Sequence, residues 1–176
     1  MDGFSGINEI NVGLLVARVV LGLLIAGHGA QKLFGWFGGY GLAGTAGFFE
    51  QLGFRPGRAF AAAAGASEFG GGLLVALGLL GPVGPALVVS VMIVAAGSVH
   101  WGHGLFAQTN GIEVPLLYGA VAAALALTGP GAYSLDALTG LSAVWTPAIS
   151  WIALIAGVAG AAANLAGRHA PATVTA

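Results

Sequence analysis

An apolar run carrying fixed charges limits this chain more than anything else in it. Residues 13–34 read GLLVARVVLGLLIAGHGAQKLF, with Arg18, His28 and Lys32 inside a stretch long enough to cross a membrane. A hydrocarbon span needs about 20 mainly apolar residues. A cation within it costs a few kcal/mol, so intramembrane cations are usually paired and usually functional. The rest of the chain is therefore read for the partners of these three residues. The solvent must be lipid, because only 6% of the 176 residues are charged and 57% are hydrophobic, whereas a soluble domain carries roughly 25% charged residues.

Composition excludes several classes. The net charge of −1 offers no electrostatic case for nucleic acid, and the absence of cysteine rules out a disulfide or a thiolate metal site. The opening MDGFSGINEINVG has no Lys or Arg. It therefore lacks the positive segment of a secretory signal, and the first span reads as retained.

Four further apolar runs follow. The expected fold is an all-α membrane protein, a four-helix transmembrane bundle with a fifth C-terminal span. Residues 1–12 form an N-terminal tail, and the core spans are about 13–34, 59–80, 83–100 and 112–129. After span 1, Trp36, Phe37 and Tyr40 resemble an interfacial aromatic belt. Residues 42–53 place Phe48, Phe49 and Leu52 at helical spacing opposite Glu50 and Gln51, the pattern of a short interfacial helix. Residues 131–146 read as a loop, 147–166 as the fifth span and 167–176 as a disordered tail. Gly157-x-x-x-Ala161 in the fifth span is a spacing that suits helix packing, and a homodimer through that span is one expectation.

Threading the spans through a bilayer gathers the polar residues at one end, side B. His28 and Lys32 fall at the B end of span 1, His100 and His103 at the B end of span 3, and Glu113 at the start of span 4. Glu68 falls near mid-depth in span 2, and Arg18 lies toward the opposite side, A. The natural pairings are Arg18 with Glu68, and Lys32 with Glu113 or a histidine. Such a pair could fix helix register or hold a headgroup or a proton; Lys32 alone could snorkel to the interface. His100-x-x-His103 with Glu113 has weakly metal-like spacing, although the glycines at 102 and 104 disrupt the helix that spacing needs. Trp36, Phe37, Trp101 and Phe106 read as a belt or as the rim of a site for a flat ligand. Lys32, Arg55, Arg58 and Arg168 all lie on side B. The positive-inside rule then gives a multi-pass protein of the plasma (inner) membrane with its N-terminus outside and its C-terminus cytoplasmic.

The order of these polar residues resembles the DoxX family of small bacterial and archaeal membrane proteins. The likeness rests on Arg18 with Gly22, Gly29-x-x-Lys32-Leu33, Glu68-x-x-Gly71 with Leu73 and Gly78, His100, and Asn110-Gly-Ile-Glu113-x-Pro-Leu-Leu, over about residues 12–130. The resemblance implies a four-helix bundle, which the fifth span exceeds. The family takes its name from a subunit of an archaeal thiosulfate:quinone oxidoreductase, and other members are linked to oxidative stress and to quinone or catechol tolerance. The leading expectation is a small subunit, not an enzyme by itself, that binds a quinone-like ligand and no covalent cofactor. Arg18 and Glu68 would form the floor of the site, Lys32 and His100 would bond a ligand oxygen, and Glu113 or His28 would exchange a proton. An oxidoreductase partner subunit would supply electrons. A small-solute or proton-coupled transporter, and a structural partner with no ligand, are the alternatives.

Overall fold

The computed structural model describes residues 3–169, with side chains from residue 8 onward. Among the described residues there are seven α-helices and no strand. Helix α1 (Gly3–Phe34) begins ten residues before the span expected from hydropathy. Helix α2 (Gly41–Gln51) is the short amphipathic element, and α3 (Gly57–Leu77) is the second long helix. Helix α4 (Val83–Ala95) widens into a π-turn over Ala96–His100. Helix α5 is Glu113–Thr128, α6 is Leu135–Thr139 and α7 is Pro147–Ala166. Four segments are long and apolar enough to cross a membrane: Asn8–Phe34, Gly57–Leu77, Val83–His103 and Pro147–Ala166. The apolar α5 has only 16 residues, about 24 Å at 1.5 Å per residue, against a hydrocarbon core of about 30 Å.

Helices α1 and α3 pack backbone against backbone. A Cβ placed on Gly22 would stand 2.5 Å from Ala76 N and Gly72 O, and one on Gly72 would stand 2.5 Å from Ala26 N. Gly29 meets Gly65 and Phe69 in the same way. Lipid tails are as apolar as leucine, so helices gain little in a bilayer by hiding apolar surface from lipid. Close approach through small residues, with its dispersion and dipole contacts, does the holding instead. Gly22 and Gly29 are seven residues apart, as are Gly65 and Gly72, so each pair lies along one face of its helix.

The main core lies where α1, α3, α4, α5 and α7 converge, around Leu21, Ile25, Val88, Met92, Leu125 and Leu154. A second cluster of Phe49, Phe54 and Ala61 lies beneath α2. Val16, Val20, Leu23 and Leu24 of α1 and Trp151, Ile152, Ile155 and Val158 of α7 face outward. This much exposed apolar surface is what lipid-facing helices present.

Helix α7 packs against α4 of its own chain. A Cβ on Gly157 would stand 2.6 Å from Ala86 O, and Ala161 is fully buried. The small-residue stripe that suggested a dimer is thus occupied within the chain. After α7, Nε of Arg168 donates to Leu52 O at 2.9 Å and the guanidinium lies over the Phe54 ring. His169 N donates to Gly53 O at 2.9 Å. These two residues, assigned to the tail by sequence, are tied to the α2–α3 turn; the remainder of that tail, 170–176, lies outside the described residues.

The glycine seam makes a specific demand. Gly72→Leu should destabilise the protein by about 1–3 kcal/mol or more, because the new side chain meets backbone that cannot yield. Gly70→Leu, where the added carbon meets nothing within 4 Å, should be tolerated. Thermal unfolding of the two purified variants in detergent checks this, and equal stability would remove the seam from its organising place.

Candidate functional site

The α1–α3 register decides which charges meet. With Gly22 facing Gly72 and Ala76, and Gly29 facing Gly65 and Phe69, Glu68 falls about one turn from Lys32. Arg18 falls level with the end of α3. Lys32 Nζ donates to Oε2 of Glu68 at 2.5 Å. The carboxylate side chain is 3% exposed and the lysine 27%. Both expected pairings are therefore corrected: Glu68 pairs with Lys32 rather than Arg18, and Lys32 reaches inward to it rather than to Glu113 or a histidine. Depth counted from span ends could not resolve this, because a lysine stem extends several ångströms along the helix from its own Cα.

Arg18 solves its burial differently. It is 3% exposed. Nη1 donates to Ala76 O at 2.5 Å and Nη2 donates to Tyr133 O. Helix α3 ends at Gly78 in the left-handed conformation (φ 63°), with Gly78 N bonded to Val75 O and Leu79 N to Leu74 O. That cap satisfies some of the last carbonyls, and Arg18 takes another. A helix C-terminus carries roughly half a negative charge, which favours a cation there. Nε of Arg18 is buried without a partner.

Sequence reading missed Asp136, which is fully buried. Its carboxylate accepts from Leu80 N at 2.9 Å, Gly81 N at 2.6 Å and Trp145 Nε1 at 2.8 Å. Its own N–H donates to Gly78 O. Arg18 and Asp136 together clamp the α3–α4 turn to the 130–146 connection, which contains α6 and a 3₁₀ turn over Leu141–Val144. A signal was present in the sequence: Ser134 at an N-cap position two residues before Asp136, an acid in the first turn. Ser134 Oγ does accept from Ala137 N.

The Lys32–Glu68 pair lies in the wall of a cavity of about 280 Å³ at the B end of the bundle. Phe48, Phe49, Phe54 and Phe60 supply an aromatic side, and His100, Ser98 and Asn164 supply polar groups from the π-turn and from α7. Nδ1 of His100 lies 2.8 Å from Asn110 O. A carbonyl can only accept, so Nδ1 carries the proton, and Nε2 of a neutral ring is left as an acceptor. π-turns occur frequently at functional sites, and this one brings both Ser98 and His100 to the cavity.

Other candidates lie apart from it. His28 faces outward with its ring 6.4 Å from that of Tyr118, and Glu113 Oε2 accepts from Ala107 N at 2.8 Å, closing its own loop. Neither lines the cavity, nor does Arg18. Nδ1 of His103 is 3.0 Å from Val99 O, and among the described residues no group of three His, Asp or Glu side chains converges as a metal site requires. Trp36, Phe37, Trp101 and Phe106 are well exposed and stand outside the cavity lining, as belt residues would.

The fold and this buried pair define a polytopic helical membrane protein with a largely apolar cavity whose wall holds an ion pair. The sequence model of the DoxX family matches residues 13–101, half of the chain, and the protein belongs to that family. The match ends before the Asn110–Leu117 motif. No curated protein and no solved structure matches the chain.

Removing one member of a buried pair leaves the other uncompensated, typically at a cost of about 3–5 kcal/mol. Lys32→Met, which strands the deeper Glu68, should destabilise more than Glu68→Leu, after which the lysine can turn toward water. The double variant Lys32→Met/Glu68→Leu should recover most of the loss. Unfolding of all four proteins as a double-mutant cycle measures this, and purely additive effects would show that the two side chains do not couple. Asp136→Ala orphans three N–H donors and should destabilise by about 3 kcal/mol or more in the same assay.

Proposed function

We propose that this protein is a small membrane subunit that binds a quinone-like ligand in the B-side cavity and serves an oxidoreductase or a detoxifying process. The observation that carries the reading is an ion pair set in the wall of an otherwise largely apolar, phenyl-lined cavity. An ammonium has three N–H donors and Glu68 takes one of them. The remaining donors suit a carbonyl oxygen, and the acceptor Nε2 of His100 suits a hydroxyl. A volume of about 280 Å³ stands at the small end of ligand sites, which favours a single substituted ring. In this reading Glu68 and His100, rather than Glu113 or His28, hold the exchangeable proton, and electrons come from a partner protein. Lys32, Arg55, Arg58 and Arg168 share this end, which supports a cytoplasmic B side with the N-terminus outside.

The test is binding of a tailless benzoquinone to the purified protein in lipid nanodiscs. Saturable binding is expected. Lys32→Met and Glu68→Gln should each weaken it about tenfold or more, the value of one charge-assisted hydrogen bond. Arg18→Lys and Glu113→Gln, away from the cavity, should leave it unchanged. No saturable binding to the wild type, or binding indifferent to Lys32 and Glu68, would refute the reading. Solute uptake by protein-bearing liposomes above that of empty ones would favour the transporter instead.

A further inference from the structure

A second concavity adjoins the first. A groove of about 620 Å³ runs between the end of α1, the glycine-rich turn after it and α2. Gln31, Tyr40, Thr45 and Gln51 set polar groups into a lining otherwise about as apolar as that of the cavity. Lys32, Phe48 and Phe49 line both spaces, so a wall one side chain thick separates them. The two phenyl rings differ in freedom: Phe49 is 9% exposed and packed against Phe54, whereas Phe48 is 45% exposed. Helix α2 itself is held in place, with Thr45 Oγ1 donating to Lys32 O at 3.4 Å and Phe54 N to Phe49 O at 2.9 Å. Of the two rings, Phe48 is the one free to turn about its own torsions, and exposed side chains make such flips in picoseconds to nanoseconds.

We propose that the groove is the vestibule of the cavity: an outer subsite where a small, hydrogen-bonding ring compound from the side-B interface docks before passing Phe48 and the Lys32 stem. The inference rests on the ligand-binding reading above and adds the route and the outer subsite. It also means that the ligand arrives from the polar interface rather than from the hydrocarbon between lipid-facing helices.

Gly47 offers a clean handle. It lines the groove but not the cavity, and a Cβ there meets nothing within 4 Å. The chain has no cysteine, so Gly47→Cys carries the sole thiol and can be alkylated with a bulky maleimide after folding. Stopped-flow association of the tailless benzoquinone is then compared before and after labelling in nanodiscs. With the vestibule filled, association and dissociation should slow together, by about tenfold or more, while Kd stays unchanged, since a barrier on the route alters both rates alike. Ile155→Cys, on the lipid face of α7, should show no change on labelling. Unaltered rates after labelling at Gly47, or slower rates after labelling at Ile155, would overturn the vestibule and place the route between lipid-facing helices. A changed Kd with an unchanged association rate would overturn it too, by making the groove part of the resting site. If the unlabelled protein binds no benzoquinone, the ligand reading itself fails and the vestibule with it.

Discussion

Gly22 and Gly29 on one helix, and Gly65 and Gly72 on the other, let α1 and α3 approach until backbone touches backbone, and the placement of Arg18, Lys32 and Glu68 follows from that contact. A seam of larger residues would tolerate a shift of register with repacking. A seam in which Gly22, Gly29 and Gly72 sit against backbone atoms does not, because each of the three fits only where the facing chain offers a backbone surface of matching shape. The register then leaves Glu68 within a lysine's reach of α1 and sets Arg18 beside the open carbonyls where α3 stops. The pairing of the charges is a consequence of helix packing rather than its cause.

Arg18 and Lys32 show two ways of tolerating charge within a membrane span. Arg18 has no carboxylate beside it; a carbonyl at the end of α3 and one in the 130–146 connection accept from its planar fork, and a buried aspartate pins the same turn from the other direction. The space bordered by Arg18 itself amounts to about 10 Å³, room for roughly one water. Lys32 instead has a full counter-charge, a partly exposed stem and open space on two sides. A compact ammonium on a flexible stem can exchange partners where a guanidinium bound at two points cannot. The contrast separates a structural cation from an adaptable one within a single bundle.

Much of this was legible from residue order. The apolar runs located the long helices, and hydropathy stops at turn signals such as Gly81-Pro82, so helix ends were close. The gathering of Lys32, Glu68 and His100 at one end followed from threading alone. What threading could not supply was register: an apolar span is nearly uniform along its length, and depth estimates blur by a turn or more, enough to exchange Arg18 for Lys32 as the partner of Glu68. The glycines that set the register were visible, but their facing partners were not. Asp136 escaped for a different reason. An isolated aspartate in a polar connection ordinarily faces water, and only the folded turn at Leu80 and Gly81 supplies the N–H groups that draw it inside.

The fifth span takes on a role from the same geometry. The family match stops at Trp101, yet the cavity is lined in part by Asn164 of α7, and the turn between α3 and α4 is pinned by Asp136 just before α7 begins. Gly157 admits α7 to the surface of α4 as closely as Gly72 admits α1 to α3, and the residues after α7 are tied to the α2–α3 turn. Leu165 of α7 lies close against Gly97, so helix α7 also covers the B-side half of α4, including the π-turn that presents His100. A bundle lacking α7 would leave that half of α4 open to lipid, with Ser90 of the cavity wall facing hydrocarbon, where an unpaired hydroxyl is costly. The C-terminal helix is thus part of the cavity's wall rather than an appendage to a four-helix core.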